Sequence, residues 1–231
     1  MSLIDDVEDR LKRAILRGEL SPGERLPAER SLSERFDASR VSVRAALARL
    51  SGQGLLSVRQ GQGYTVQDFR LRGGPGLLPD LFAAVDDPRA MVGDVLLIRR
   101  HLAAAALHLI ASARPDTTAL RQAIDAFEQT ITSDPDSLPQ ADLAIVAALL
   151  AATGSLVLQV SINPIAALIS EYAVFNNGRY RQPEINLAGW RALLAWAGDP
   201  DPALIPTILA LLEERDRDTL EAPCATPSTP G

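Results

Sequence analysis

Two arginines four residues apart, Arg40 and Arg44, combine a residue type and a spacing that indicate a specific chemistry. On a helix, this spacing places both side chains on one face, one turn apart. Each guanidinium carries parallel N–H groups that match O6 and N7 of guanine in the major groove of DNA. Arginines at this spacing are also common on solvated helix faces, so the interpretation depends on the elements that carry them.

A helix-turn-helix is predicted on the two sides of a break at residues 37–38. The first helix is expected over 27–36, where apolar residues recur at every fourth position, and Ser39 can cap the second helix. The apolar residues of the second helix also share one stripe: Val43, Ala46, Leu47 and Leu50. Because that stripe packs inward, Arg40 and Arg44 should face outward, where a recognition helix contacts base edges.

Two short β-prone runs, 55–58 and 64–66, follow this helix. A Gly-containing turn over 60–63 joins them, which predicts a β-hairpin wing. Gly61 in the turn would let the backbone approach a phosphate or the minor groove. The Gly-Gln-Gly of this turn is not a dinucleotide fingerprint, which needs a third glycine and a strand that opens onto a helix.

This part of the chain closely resembles the winged helix-turn-helix domain of the GntR family of bacterial transcription factors, along the continuous segment LSPGERLPAERSLSERFDASRVSVRAALARLSGQGLLSVRQGQGYTV. The resemblance implies contacts with operator DNA from the recognition helix, from the arginine of the PAER motif and from a serine that binds phosphate. The matching residues here are Arg30, Ser39, Arg40, Ser42 and Arg44. At the wing tip, Gln60-Gly61 replaces the His-Gly of fatty-acid-responsive members, and Gln can still hydrogen-bond a base edge or a phosphate.

The charge of the chain is divided unevenly, although the total is −6. Residues 1–72 hold 13 Lys and Arg against 10 Asp and Glu, a net +3, whereas residues 73–231 hold 10 against 19, a net −9. A basic DNA-binding part and an acidic remainder are expected if only one end approaches phosphates. Because +3 is modest, we expect tight binding to need two copies on one DNA site, as in a homodimer.

A hydrophobic content of 47% in 231 residues allows two modest domains. The Gly-Gly-Pro-Gly run at 73–76 marks the clearest linker. We therefore predict a winged helix-turn-helix domain over 1–69, a linker over 70–79, a helical effector-binding and dimerisation domain over 80–221, and a disordered tail over 222–231. The single cysteine, Cys224, lies in that tail and excludes an intramolecular disulfide.

The predicted fold class is mainly α, with a C-terminal bundle of six or seven helices. In the first domain, a helix is expected over 3–17 and should end at Gly18. In the second domain, helices are expected over 88–112, 116–131, 139–153, 156–175, 184–197 and 203–220. Pro164 lies inside the fourth of these helices and should kink or break it.

An all-helical second domain of this length resembles the FadR subfamily of GntR regulators. Similar local segments are GDVLLIRRHLAAAALHLIA, ADLAIVAALLAATGS and DFRLRGGPGLLPDLF, the last of which looks like the linker of the fatty-acid-responsive type. Many members of that subfamily bind a divalent metal through one Asp and three His. Here Asp142 matches the Asp, but Val146 stands at the first His position and Arg191 at a later one.

The two histidines, His101 and His108, lie seven residues apart on another predicted helix. That spacing separates them by roughly 10 Å, too far to share one metal ion. No Ser or Cys nucleophile with a motif accompanies them, which argues against an enzyme. We predict no metal, no cofactor and no catalytic residues.

Candidate effector contacts lie in the second domain: Arg99, Asp142, Trp190 and Arg191. Arg191, together with Arg99, could hold a carboxylate or phosphate through paired hydrogen bonds. Alternatively, Arg191 forms an internal ion pair with Asp142 in place of the metal site. Trp190 could form a pocket wall with Trp196, or both could be packing residues of the helical core.

These patterns predict a ligand-responsive transcriptional regulator, more specifically a homodimeric repressor that binds a palindromic operator. The effector is expected to be an acyl-CoA or a small carboxylate. The sequence has no run of about 18 uncharged apolar residues and no basic signal-like start, so a cytoplasmic protein without membrane contact is expected. The alternatives are a helical metabolite-binding enzyme and a dimeric adaptor that does not bind DNA.

Overall fold

The structure, a computed structural model, consists of two units, Met1–Pro88 and Arg89–Gly231. It describes residues 2–59, 63–172, 175 and 180–221. The first unit contains α1 (Leu3–Leu16), α2 (Glu29–Phe36), α3 (Arg40–Gly52), β1 (Leu56–Arg59), β2 (Gly63–Val66), α4 (Phe69–Arg72) and α5 (Leu78–Ala84). The second contains α6 (Arg89–Ala113), α7 (Thr118–Ser133), α8 (Leu138–Ala152), α9 (Leu156–Glu171), α10 (Pro183–Gly198) and α11 (Ile205–Glu221). The predicted mainly helical fold, with a two-stranded wing in the first unit, is confirmed.

Helix α1 begins and ends where the sequence provides caps. The Ser2 hydroxyl accepts a hydrogen bond from the Asp5 N–H, and the Asp5 carboxylate accepts one from the Ser2 N–H. This capping box satisfies two N–H groups at the helix start. Gly18 follows the helix with φ of 76°, so it provides the predicted stop. Three apolar residues, four apart, are buried on the side that packs against α3: Val7, Leu11 and Ile15.

The turn between α2 and α3 lies at the predicted break. Asp37 follows α2 with φ of 48°, a left-handed conformation that ends the helix. Ser39 then caps α3, since its hydroxyl accepts a hydrogen bond from the Ser42 N–H at 3.1 Å. The predicted apolar stripe of α3 is completely buried: Val43, Ala46, Leu47 and Leu50. This stripe anchors α3 in the core and leaves its opposite face to solvent.

The wing is an antiparallel pair of strands in which Leu56 of β1 lies opposite Val66 of β2. The segment before α2 adds a short pairing that was not predicted. The Leu26 N–H donates to the Tyr64 carbonyl at 2.9 Å, and the Val66 N–H donates to the Glu24 carbonyl at 2.9 Å. These hydrogen bonds link residues 24–26, which precede the helix-turn-helix, directly to strand β2 of the wing.

The first unit extends through segment 70–79, which was predicted to be a linker. Leu77 in this segment is buried in the same core as α1 and α3. A Cβ on Gly73 would lie 2.6 Å from the Leu77 side chain, so the glycine allows a close approach. The division between the units therefore falls after Pro88 and not at the glycine-rich run.

The second unit is a bundle in which α7 packs against α8 and α10, and α6 packs against α9 and α11. Its main core includes side chains that are almost fully buried between α7 and α8: Leu120, Ile124, Phe127 and Ile145. A smaller cluster joins α6, α8 and α9: Ala106, Leu150, Leu158 and Ile162. The six helices described in this unit agree with the predicted bundle.

Pro164 lies inside α9, which continues without interruption from Leu156 to Glu171. The helix is therefore not broken at this proline, and a kink, the other predicted outcome, stays a prediction. Proline removes one backbone hydrogen bond, but Ile162 and Ile165 on its two sides are buried. Their packing holds the helix together across the missing bond.

Helix α6 is the one described helix that is long and apolar enough to cross a membrane, by the length and composition of Ala90–Ala113 alone. It also carries Arg99 and Arg100, and both pair with Asp216 of α11. A helix at the centre of a bundle can meet the same two criteria, and α6 packs against α9 and α11.

Candidate nucleic-acid interface

Helix α3 presents an exposed face opposite its buried stripe. Arg40 and Arg44 lie on that face, as predicted, and 68% of the Arg44 side chain is exposed. Val41 lies between them in sequence and is 78% exposed. The three side chains occupy the N-terminal half of a helix held from behind by its apolar stripe. This is the part of a recognition helix that contacts base edges.

Ser39 and Ser42 form the cap of α3 and lie beside this face. The two hydroxyl oxygens are 2.9 Å apart, and either can donate to the other. The hydroxyl that accepts in this contact keeps its own hydrogen for an outside acceptor such as a phosphate. Both residues therefore have a local structural role, and their DNA contacts remain predictions.

The guanidinium of Arg44 is held by Glu29, the first residue of α2. Nε of Arg44 donates to both carboxylate oxygens at 3.1 Å, and Nη2 donates to Oε2 at 2.6 Å. The hydrogen bonds from Arg44 hold the pKa of Glu29 below its ordinary value of 4.5, and the charge of Arg40 acts in the same direction. The same contact raises the pKa of Arg44. One carboxylate thus interacts with both arginines predicted to contact bases.

Arg30, the second residue of α2, extends into solvent. Its Nε donates to Glu34 at 3.1 Å, and 74% of the arginine side chain is exposed. An exposed pair at this helical spacing contributes little to stability and rearranges easily. Arg30 is therefore accessible to a phosphate or a base, as its predicted role requires.

Gln60 and Gly61, the predicted wing-tip contacts, lie outside the described residues. The strand ends on either side are described, with Arg59 paired opposite Gly63. Gly63 has φ of 77°, which glycine adopts without strain. The hairpin that would carry the tip is confirmed, while the roles of the two tip residues remain predictions.

Two residues of this interface were not identified from the sequence. Val41 is an apolar residue that falls outside the buried stripe of α3, and that position could have identified it. Its methyl groups are suited to contact the methyl group of thymine. Glu29 contacts Arg44 across 15 residues of sequence, so spacing rules for a single helix could not find the pair.

In the second unit, Asp142 is a buried carboxylate on α8. The Trp190 Nε1–H donates to its Oδ1 at 2.7 Å, and the Tyr180 hydroxyl donates to its Oδ2 at 3.2 Å. Asp142 and Trp190, both predicted effector contacts, are thus brought together. They bind each other and connect α8 to α10.

Arg191 does not join this cluster. Its Nη2 donates to Glu128 of α7 at 2.6 Å, and 56% of its side chain is exposed. Successive residues on a helix point about 100° apart, so Trp190 can face the core while Arg191 faces solvent. The internal pair of Arg191 with Asp142, one of the two interpretations of this arginine, is therefore wrong.

Arg99 lies on α6 and pairs with Asp216 of α11, which also pairs with Arg100 at 3.2 Å. Asp216 is almost completely buried, and its charge is balanced by these arginines. Burying a carboxylate is costly unless it is paired in this way. The structure thus gives Arg99 a partner within the unit, separate from Asp142 and Arg191.

The metal site implied by the family resemblance does not fit these residues. The oxygens of Asp142 accept hydrogen bonds from an indole and a phenol, and Val146 follows it one turn later on α8. Within residues 2–59, 63–172, 175 and 180–221, no group of three His, Cys, Asp or Glu is placed to hold an ion. His101 and His108 are both exposed on α6.

Comparison with protein families places the interface inside one known domain. The family described as "Bacterial regulatory proteins, gntR family" matches residues 3–66. This range includes α1, the helix-turn-helix and both strands of the wing. The match therefore covers all the predicted DNA contacts.

Similar proteins extend the match into the second unit. The HTH-type transcriptional regulator LutR of Bacillus subtilis is 31% identical over 159 residues, which cover 68% of this chain and 71% of LutR. The fatty acid metabolism regulator protein of Edwardsiella ictaluri is 32% identical over 164 residues, 70% of this chain and 64% of that protein. The HTH-type transcriptional regulator Mce2R of Mycobacterium tuberculosis is 49% identical over 80 residues, but the match spans only 33% of Mce2R.

Solved structures share the fold along almost the whole chain. The structure titled "Lar controls the expression of the Listeria monocytogenes agr system and mediates virulence" has a TM-score of 0.61, with 17% identity and 95% of each chain covered. A GntR protein of Streptococcus agalactiae has a TM-score of 0.51, with 21% identity, and covers 93% of this chain and 99% of its own. At these identities the likeness shows the fold.

Proposed function

Because the chain belongs to the GntR family of bacterial regulatory proteins, we propose that it is a transcriptional regulator that contacts operator DNA through α3. The observation that carries this proposal is the exposure of Arg40, Val41 and Arg44 on one face of a helix whose opposite face is buried. Arginine can pair with guanine, and valine can contact the methyl group of thymine. This face therefore has the chemistry needed to distinguish base pairs.

The remaining contacts position the helix on the duplex. Ser39 and Ser42 at the helix start and Arg30 on α2 are suited to phosphate oxygens. Gln60 and Gly61 at the wing tip would reach a phosphate or the adjacent minor groove. Such contacts add affinity for any DNA and fix the orientation from which α3 contacts bases.

The protein acts as a homodimer on a palindromic operator, and as a repressor. A dimer with two-fold symmetry places two copies of α3 on matching half-sites. The small positive charge of residues 1–72, +3, favours this arrangement because two copies double the charge that faces the phosphates. Since this role requires access to DNA, we place the protein in the cytoplasm. We assign it no enzymatic activity.

Selection from random-sequence duplexes tests this proposal. The full chain is used to enrich bound duplexes over several rounds at a fixed salt concentration of about 0.15 M, since affinity for DNA depends strongly on salt. A site with two symmetric half-sites that contain guanine is expected. Enrichment of no sequence, with or without candidate effectors present, would contradict the proposal.

The effector of this regulator is an acyl-CoA. Similarity to the fatty acid metabolism regulator protein over 70% of this chain supports this choice. A small carboxylate is the second candidate, and the structure weakens its support because Arg191 is exposed and bound to Glu128. A ligand lowers operator affinity only to the extent that it prefers the form that does not bind DNA.

Thermal denaturation with candidate ligands distinguishes the two effector classes. A long-chain acyl-CoA should raise the melting temperature of the protein in proportion to the logarithm of its concentration, whereas coenzyme A alone and L-lactate should not. The same acyl-CoA should lower affinity for the selected duplex. A shift with L-lactate alone would replace the acyl-CoA assignment with the carboxylate one.

A further inference from the structure

A carboxylate at the start of α2 holds the side chain of Arg44 in one orientation. Glu29 accepts hydrogen bonds from both Nε and Nη2 of this arginine. The carboxylate is the less exposed partner, with 26% of its side chain exposed against 68% for Arg44. It also lies at a helix N-terminus, where the helix dipole favours a negative charge. Glu29 is therefore the fixed partner, and the longer arginine is the side chain that it restrains.

The contact occupies only one edge of the guanidinium. Glu29 binds the side edge, formed by Nε and Nη2. The end edge, formed by Nη1 and the second hydrogen of Nη2, has no hydrogen-bond partner among the residues that the structure describes. Two parallel N–H groups on one edge are enough for a two-pronged contact with O6 and N7 of guanine.

We propose that Glu29 is a specificity-determining residue that positions Arg44, directing the end edge of its guanidinium to a base and away from phosphates. This inference rests on the proposed DNA-binding function. An unrestrained arginine is long and flexible enough to reach phosphate oxygens, which every DNA sequence offers. The negative charge of Glu29 also opposes binding to random DNA. Glu29 thus lowers non-specific affinity and raises discrimination at one base pair.

Glu29→Gln tests this role, because glutamine keeps the size of the side chain and removes its charge. Wild type and variant are titrated with the duplex selected from the random pool, with every single base-pair substitution in one half-site, and with a scrambled duplex, at one salt concentration. Arg44→Ala identifies the base pair that Arg44 contacts. At that base pair, Glu29→Gln should lose about tenfold in discrimination, within the range that a two-pronged arginine provides. Its affinity for the scrambled duplex should stay equal or increase.

Two further variants separate this role from a general effect of charge. Glu34→Gln removes the same charge from the same helix, but Glu34 contacts Arg30, so discrimination at the Arg44 base pair should be unchanged. The double variant Glu29→Gln/Arg44→Ala should discriminate as Arg44→Ala does, because Glu29 acts through Arg44. Thermal denaturation of each variant checks that the fold is retained.

The outcomes distinguish this inference from the proposed function. If wild type prefers the selected duplex and Glu29→Gln keeps the same discrimination, Glu29 merely competes with DNA, and the inference is overturned alone. If Glu29→Gln loses affinity equally for the selected and scrambled duplexes and its melting temperature falls, Glu29 has a structural role, and the inference is also overturned. If wild type shows no sequence preference, the proposed function fails and the inference fails with it.

Discussion

The indole N–H of Trp190 donates a hydrogen bond to Oδ1 of Asp142 at 2.7 Å and ties α10 to α8. The second tryptophan of the chain, Trp196, lies on the same helix, but its indole donates to the carbonyl of Asp201 at 3.0 Å. The two indoles therefore differ in the charge of their acceptor. A hydrogen bond to a charged group stabilises a fold more than one to a neutral group.

The hydrogen bond lost in Trp190→Phe should consequently cost the second unit more stability than the one lost in Trp196→Phe. Loss of the bond to the carboxylate should cost about 1.5–3 kcal/mol, and loss of the bond to the carbonyl about 0.5–1.5 kcal/mol. Urea denaturation followed by the fluorescence of the remaining tryptophan measures both values in the second unit. A loss for Trp190→Phe of less than about 0.5 kcal/mol would contradict the assigned role of Asp142.

Glu8 is expected to stabilise the first unit in a pH-dependent way. Burial by itself raises the pKa of Glu8, but hydrogen bonds from Gln53, which follows α3, and from Arg49 of α3 outweigh it and hold this pKa below the ordinary 4.5. Since the pKa is lower in the folded state, the stabilisation is complete well above pH 4.5 and disappears as the pH falls through the folded value. Glu8→Gln should lose about 1–3 kcal/mol near neutral pH.

Hydrogen exchange of the α1 and α3 amides, corrected for its intrinsic pH dependence, measures this contribution. The difference between wild type and Glu8→Gln should narrow as the pH falls below 4.5. Glu19→Gln is the control, because Glu19 is an exposed acid of the same unit, and it should change stability by no more than about 0.5 kcal/mol. A difference for Glu8→Gln that does not vary with pH would refute the charge-based explanation.

Alanine should destabilise the first unit at Gly54 but not at Gly52. Gly54 has φ of 76°, and a Cβ there would lie 2.6 Å from the carbonyl oxygen of Arg72. Its replacement should cost more than about 1–2 kcal/mol, the cost of the left-handed conformation alone. Gly52 ends α3 with nothing within 4 Å of an added Cβ, so alanine should be neutral or stabilise by up to about 1 kcal/mol. Thermal denaturation measures both changes. An equal loss of stability in the two alanine variants would contradict the prediction.

Much of the first unit could be predicted, because the spacing of its apolar residues and its helix caps are features of short sequence segments. The spacing of Val43, Leu47 and Leu50 identified the buried side of α3, and Ser39 identified its start. The pairing of Leu26 with Tyr64 could not be predicted from spacing, since it joins residues far apart in sequence. The glycine-rich run at 73–76 suggested a domain boundary there. Leu77, however, is buried in the core of the first unit, and the boundary lies after Pro88.

Partners within the candidate sites were harder to predict than the elements that carry them. Asp142 and Arg191 were placed correctly on helices, yet the direction of each side chain depends on helix rotation, which sequence patterns define only loosely. For the same reason, the contact of Glu29 with Arg44 could not be predicted, although both residues lie on correctly predicted helices. Contacts between helices become visible only once the packing is known.

Whether α3 contacts bases is measured by the affinity of Arg40→Ala for the selected duplex and for a scrambled one at the same salt concentration. Arg10→Ala, an exposed arginine on α1, controls for the loss of one charge. We predict that Arg40→Ala loses about 1–3 kcal/mol on the selected duplex and much less on the scrambled one. Equal losses on the two duplexes would mean that Arg40 contacts only phosphates, and would contradict base recognition by this residue.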